Sequence, residues 1–172
     1  MTKRAKPRGQ AMVEFALVFP IFILLLVGLF DFGRVIWVND TLASAAREAA
    51  RFAIVHGGSG STACPVGPPA ATAVIPAASA SCPYPAPSKQ AIKDIALSWA
   101  SGTSSDITVS VCYGAVTSCS GDVDAAGPRT PTNARGTQVM VTVTSFVNLS
   151  VPSLLGFPGI NLTSTSTMLV NH

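Results

Sequence analysis

The most constraining feature of this sequence is a long uncharged apolar run near its amino terminus. Residues 15–30 read FALVFPIFILLLVGLF, and none of these sixteen side chains is charged. Counted from Gln10, the apolar segment has 21 residues, of which only Glu14 is ionised. As a helix it would be about 31 Å long, close to the roughly 30 Å hydrocarbon core of a bilayer. The run therefore predicts one membrane-spanning helix.

Basic residues are concentrated in front of this run. Four of the eleven basic side chains lie in the first eight positions: Lys3, Arg4, Lys6 and Arg8. A basic flank of this kind holds the amino end in the cytoplasm and places the chain beyond about residue 35 outside. Without residues 1–9, seven basic and eight acidic side chains remain, and the net charge falls from +3 to −1. A nucleic-acid binder with a distributed basic face is therefore excluded.

A cleaved secretory signal also begins basic and continues apolar, so it is the first competing interpretation. The run here is longer than the roughly 7 to 15 residues of such signals, and Glu14 interrupts its start. The nearest small-x-small site, at residues 43–45, lies well beyond the run. An uncleaved signal anchor is the simpler alternative, but a carboxylate deep in the bilayer costs about 2.5–3.5 kcal/mol. Ionised residues inside a membrane span are usually functional, so Glu14 is a candidate functional residue.

The residues around Gly9 resemble a known processing signal. Residues 8–15, RGQAMVEF, with a basic leader before them and the apolar run after them, look like the class III leader of type IV pilins and pseudopilins. The longer string GQAMVEFALVFPIFILLLVGLFDFGR, followed by AAREAAR, is similar to the TadE-like proteins of tight-adherence (Tad/Flp) pilus systems. The resemblance covers about residues 8–55, and no motif is recognised from residue 57 onward.

This resemblance implies that a membrane-embedded aspartyl prepilin peptidase cuts the chain between Gly9 and Gln10. Glu14 then becomes the fifth residue of the mature chain, and Phe15 takes the place where the Tad subfamily often has tyrosine. Glycine suits a scissile position because a backbone without a side chain can enter a narrow cleft. The new amino group of Gln10 can pair with Glu14 of a neighbouring subunit, most strongly where water is excluded. Cyclisation of the amino-terminal glutamine would remove that partner.

Two charges and a stripe of small residues follow the apolar run. Asp31 and Arg34 are three residues apart and share a helix face. A solvated surface pair is the simpler interpretation, and a helix-interface contact between subunits is the sharper one. Residues 41–53, TLASAAREAARFA, place small side chains along one face, which lets another element approach closely. Packing against the protein's own head is favoured over packing against another chain.

A loop rich in proline, alanine and glycine is expected over residues 57–87, which hold seven of the thirteen prolines. It contains Cys64 and Cys82, while Cys112 and Cys119 lie further on. Four cysteines allow three pairings. The pairing of nearest neighbours in sequence, Cys64 with Cys82 and Cys112 with Cys119, is favoured, and disulfides suit the oxidising compartment expected for an exported head. Zinc binding is the rival, but the sequence has no CxxC pair.

Residues 88–172 are patterned as an α+β head. Ser88 is the predicted N-cap of a short helix, KQAIKDIALSWA, whose apolar face comprises Ile92, Ile95, Ala96 and Trp99. Three runs of alternating type, DITVSVCY, QVMVTVTSF and LTSTSTMLV, predict strands. The expected organisation is a leader (1–9), a transmembrane and extended helix (10–56), the loop (57–87) and a head with a small antiparallel sheet in the style of pilin-like proteins (88–172).

The sequence offers little chemistry. The DVDAAG run from Asp122 to Gly127 resembles the start of a calcium loop, but its fifth and twelfth positions are Ala126 and Asn133, so a solvated turn is favoured. No GxSxG, P-loop or HExxH motif is present, and the two histidines lie at a helix end and at the chain terminus. We therefore predict no enzyme activity, no cofactor or metal, and no small-molecule substrate.

Taken with the resemblance, these features predict a minor pseudopilin that takes part in assembling a Tad-type pilus. It would be a single-pass protein of the bacterial inner membrane, with a cytoplasmic amino terminus and an extracytoplasmic head. Its expected partners are the membrane, the prepilin peptidase, other pilins or pseudopilins and the pilus assembly platform, with no nucleic acid. The alternative is a permanently signal-anchored extracytoplasmic binding module, which would keep its leader and be indifferent to substitution of Glu14.

Overall fold

The fold is that of a computed structural model, which describes residues 8–57, 66–68, 89–103, 106–122, 133–154, 156 and 158–171. Its helices are α1 (Arg8–Val55), α2 (Gln90–Ala100) and the short α3 (Ser150–Leu154), and its strands are β1 (Ile107–Tyr113), β2 (Gln138–Val147) and β3 (Ile160–Leu169). A long apolar helix, a short helix and a three-stranded antiparallel sheet confirm the predicted α+β, pilin-like class.

The chain divides into two compact units. One comprises Met1–Ile36 and Asn148–Ile160, and the other comprises Trp37–Val147 and Asn161–His172. Helix α1 contributes residues to both, and so does the chain around β3.

In the first unit, the apolar side chains of α1 are largely uncovered. Among the exposed large apolar residues of positions 12–30, the relative exposure ranges from 40% at Ile23 to 78% at Met12. The helix continues through Pro20, and it is long and apolar enough to cross a membrane by length and composition. An apolar surface this extensive is not stable in water, so lipid or other protein must cover it. The observation agrees with a single-pass membrane anchor.

In the second unit, the same helix is covered on one face by the protein itself. Seven apolar residues at helical spacing are fully buried: Val38, Leu42, Ala45, Ala46, Ala49, Ala50 and Ala53. Five of these are alanines, which let the neighbouring chain approach the helix backbone closely. This confirms the expectation that the small-residue stripe packs within the protein's own head.

Helix α2 packs against β1 through a stripe that the sequence predicted only in part. Ile92, Ala96 and Ala100 are its buried residues, whereas Trp99 is 55% exposed. The inclusion of Trp99 on the buried face was wrong, because the stripe advances by four residues and ends on Ala100. The helix begins at Gln90, so Lys89 occupies the N-cap position, without a side-chain cap. Ser88, the predicted cap, lies outside the described residues.

The strands follow one another in space as they do in sequence, with β2 in the centre. Strand β1 is antiparallel to β2, in a register that runs from Ile107 opposite Ser145 to Tyr113 opposite Val139. On the other edge, hydroxyls of β2 and β3 meet at 3.1 Å in two pairs, Thr142 with Thr165 and Thr144 with Thr163. The strand predicted with the most valines is β2, the central one. Five successive residues of β2 are buried, so both of its faces are covered.

A small second core lies on the other face of β1. Alternation predicted that Ser110 and Cys112 would face away from the main core, and both are nevertheless buried. Cys112 lies in a cluster with Cys119 and Met140, with Val116 packed against it, and the Ser110 hydroxyl accepts a 3.2 Å hydrogen bond from the Gly121 amide. Cys112 and Cys119 form a disulfide with Cα atoms 5.7 Å apart, which confirms that half of the predicted pairing. Cys64 and Cys82 lie outside the described residues.

Candidate functional site

The predicted cleavage position lies in the first turn of α1. The helix starts at Arg8, and Gly9 is exposed. A Cβ atom added to Gly9 would meet no other atom within 4 Å. Within the described residues, nothing in the fold therefore requires glycine at this position. A requirement for glycine there must come from another molecule.

The residues predicted for recognition and assembly follow on the next turn. Glu14 and Phe15 are both exposed, with Phe15 at 65%, and the Phe15 and Phe19 rings are 5.3 Å apart between centroids. Gln10 and Glu14 are four residues apart on a continuous helix, so they share a face and are separated by about 6 Å along its axis. The predicted scissile bond and the carboxylate thus lie close together, at one end of an uncovered apolar helix.

Asp31 and Arg34 contact a second segment of the same unit. The Val151 amide donates a 2.8 Å hydrogen bond to Asp31 Oδ2, and Arg34 Nη1 donates a 3.4 Å bond to the Asn148 carbonyl oxygen. Asp31 is only 9% exposed, so the solvated-pair interpretation is wrong for this residue. Its carboxylate caps the start of α3, since the amide and hydroxyl of Ser150 also contact it.

Together α1 and α3 form an apolar groove. Its volume is about 410 Å³, and its lining residues are Phe19, Pro20, Ile23, Leu24, Val27, Ser150, Val151 and Leu154. Sequence reasoning missed α3, although residues 149–159, LSVPSLLGFPG, carry no charge and lie between two strands rich in Ser and Thr. A run of apolar residues and prolines in such a loop is the signal that would have drawn attention to it.

The amino-terminal part of the chain matches a known family. The family model for TadE-like protein covers residues 9–51. Over these residues the chain is similar to the TadE-like family. The TadE-like match begins at the predicted scissile glycine, contains the whole apolar run and ends in the small-residue stripe, which agrees with the resemblance drawn from the sequence. No curated protein and no solved structure matches the chain.

Outside the TadE-like segment, the head contains a half-buried acidic residue that sequence reasoning misread. Asp122, predicted to lie in a solvated turn, forms a salt bridge with Lys93, and Asp122 Oδ1 accepts a 2.7 Å hydrogen bond from the Val111 amide. Its backbone is left-handed, with φ of 60°, a conformation that Asp tolerates better than most residues. Asp122 therefore ties the turn after the disulfide to α2 and β1.

Asn133, at the twelfth position of the rejected calcium-loop motif, also takes part in the fold. Asn133 is buried, and its side-chain amide donates to the Val66 carbonyl oxygen at 2.9 Å. Asp124 and Ala126 lie outside the described residues. Within the described part of the chain, no group of three or more His, Cys, Asp or Glu side chains is placed to hold a metal ion.

The ion pair at Asp122 predicts a pH-dependent stability. Burial favours the neutral acid, but hydrogen bonds from Lys93 and the Val111 amide and the charges of Lys93 and Lys89 outweigh it, so the pKa of Asp122 is lowered. A group with a lowered folded-state pKa stabilises the fold above its unfolded pKa, near 3.9, and loses this contribution as the pH falls towards the folded value. We expect Asp122→Asn to lower the free energy of unfolding by about 1–3 kcal/mol at pH 7, and by less below about pH 4.

Urea titrations of the full chain in detergent micelles at pH 7 and pH 3 would measure this difference. Asp40→Asn, which changes an exposed carboxylate of α1, is the matched control and should have little effect at either pH. An Asp122→Asn penalty that is equal at both pH values would contradict the ion-pair explanation.

Proposed function

We propose that this chain is a minor pseudopilin that takes part in assembling a Tad-type pilus. The TadE-like match over residues 9–51 carries the proposal, because this family belongs to pilus systems. The described residues add an uncovered apolar helix with an acidic residue near its start. The work of such a protein is helix packing, so the proposal requires no catalytic residue of its own.

In the proposed pathway, the basic leader stays in the cytoplasm and the head is exported. A prepilin peptidase then cuts the chain between Gly9 and Gln10. Two properties of the site support this step: Gly9 is exposed at the start of the helix, and the space around its Cα is open. A protease cleft can therefore reach the backbone without displacing another part of the chain.

After cleavage, residues 10–30 become the surface that neighbouring subunits cover. The side chains of residues 11–25 are all exposed in the single chain, so a partner helix can pack against them. Glu14 is proposed to pair with the free amino group of Gln10 on a neighbouring subunit. Between packed helices this attraction is much stronger than in water, and it fixes the axial offset of the two chains.

The test is the amino-terminal sequence and intact mass of the protein from membranes of cells with and without the prepilin peptidase. We expect the chain to begin at Gln10 only when the peptidase is present. An unrelated single-pass membrane protein, measured in both strains, controls for general effects of the deletion. A basic leader retained in both strains would overturn the pseudopilin proposal and support a permanently anchored binding module.

A further inference from the structure

The helix α3 lies beside the part of α1 that is proposed to span the membrane. Val151 and Leu154 share a groove with Phe19, Ile23 and Val27, which all belong to the uncharged run. We infer that residues 149–154 are immersed in the outer leaflet of the same bilayer, so that the chain contacts hydrocarbon through a second element. This inference rests on the membrane placement of α1 and is independent of leader cleavage.

The depth of α3 follows from the rise of a helix. Asp31, which holds the start of α3, directly follows the apolar run. Val27, Ile23 and Phe19 lie four, eight and twelve residues before it, or about 6, 12 and 18 Å along the helix axis. If residues 10–30 cross a hydrocarbon core of roughly 30 Å, side chains that share a groove with Val27 and Ile23 lie within its outer half, and the groove ends near the midplane at Phe19.

The polar groups of this segment are arranged for a water-poor environment. A backbone amide in hydrocarbon must find a partner within the protein. The Val151 amide donates to Asp31 Oδ2 at 2.8 Å, and Pro152 has no amide hydrogen to satisfy. The amides of Ser153 and Gly156 each donate at 3.1 Å, to the carbonyls of Leu149 and Ser153 respectively.

Side-chain charge is absent from the same region. The sequence has no Asp, Glu, Lys or Arg after Arg135, so placing residues 149–154 in lipid buries no ionised side chain of their own. Asp31 and Arg34, which contact this segment, are the first charges past the apolar run on α1. They lie where headgroups and water are within reach, and their contacts hold the loop at the membrane boundary.

Lipid is the occupant that the exposed apolar surface favours. Leu154 is 79% exposed, and on α1 the neighbouring Leu24 and Leu25 are 47% and 63% exposed. These side chains belong to one unit and form a surface continuous with the span. A bilayer that covers Leu24 and Leu25 therefore also reaches Leu154, without a further protein partner.

The test places a single tryptophan on α3. Leu154→Trp is made in a W37F/W99F background, and the full chain is reconstituted at low protein-to-lipid ratio into phosphatidylcholine vesicles with or without brominated acyl chains. We expect blue-shifted emission and quenching comparable with that of Phe22→Trp, a position 53% exposed on the span. Ser101→Trp, at an exposed turn of the head, is the unquenched control.

Each other outcome overturns the inference. If Phe22→Trp is quenched while Leu154→Trp emits as in water, α1 spans the bilayer but α3 lies outside it. Blue-shifted emission from Leu154→Trp without quenching would mean that protein, such as a second copy, covers α3. If Phe22→Trp is also unquenched, the membrane placement of α1 fails, whereas failure of leader cleavage alone would leave this result unchanged.

Discussion

Replacing Gly9 with leucine is expected to abolish removal of the leader while leaving the fold intact. A Cβ atom at this position meets nothing within 4 Å, and the residue is exposed in the first turn of α1. The substitution therefore has no steric cost within the chain, and a loss of processing must arise in the cleft of the peptidase. Intact mass of the membrane-bound protein should show only the chain that retains residues 1–9.

Gly33→Leu is the matched control, because Gly33 is also an exposed glycine of α1 with open space around its Cα. This variant should be processed as the wild type is. Normal cleavage of the Gly9→Leu protein would count against the peptidase assignment. Loss of cleavage in both variants would point to a general effect of bulky residues on insertion of the helix.

Gly67→Ala is expected to have the largest effect on the stability of the head. Gly67 has φ of +87°, and a Cβ atom there would collide with the ring of Tyr113. Tyr113 is fully buried on β1, so its ring has little room to move. Left-handed strain of about 1–2 kcal/mol and overpacking of about 1–3 kcal/mol together predict a loss of about 2–5 kcal/mol.

Gly102 and Gly136 separate these two costs. Both have positive φ, of +93° and +84°, but a Cβ atom on either meets nothing within 4 Å. The alanine variants at these two positions should lose only the part of the unfolding free energy that left-handed backbone strain costs. Thermal unfolding of the full chain in micelles, followed by near-ultraviolet circular dichroism, reports on the head because the apolar part of α1 dominates only the far-ultraviolet signal. A penalty for Gly67→Ala no larger than that of the two controls would disprove the collision.

The elements that could be predicted from sequence are those whose signals are local. The apolar run of residues 15–30 predicts a membrane-spanning helix from its length and lack of charge alone. The strands are predicted from the alternation of apolar and polar side chains over fewer than twelve residues. The pairing of Cys112 with Cys119 was accessible for the same reason, since the two residues are close in the chain. The fold class and the TadE-like segment therefore followed from short-range pattern.

The misread residues are those whose environment is set by distant parts of the chain. Asp31 and Val151, which share a hydrogen bond, are 120 residues apart, and no local pattern around Asp31 indicates that an amide will reach it. Asp122 was assigned to a solvated turn, and its partners Lys93 and Val111 lie on other elements, where no local pattern indicates them. Trp99 was placed on the buried face by helical spacing alone, whereas the residues that α2 buries are Ile92, Ala96 and Ala100.

The disulfide between Cys112 and Cys119 reports whether the head has crossed the membrane. Thiols stay reduced in the bacterial cytoplasm and are oxidised once they cross the inner membrane. Under the proposed topology, the bond forms only in molecules whose head has been translocated. The fraction of molecules with an oxidised Cys112–Cys119 pair therefore equals the fraction whose head has been exported. This holds whether or not the leader at the opposite end of the chain has been removed.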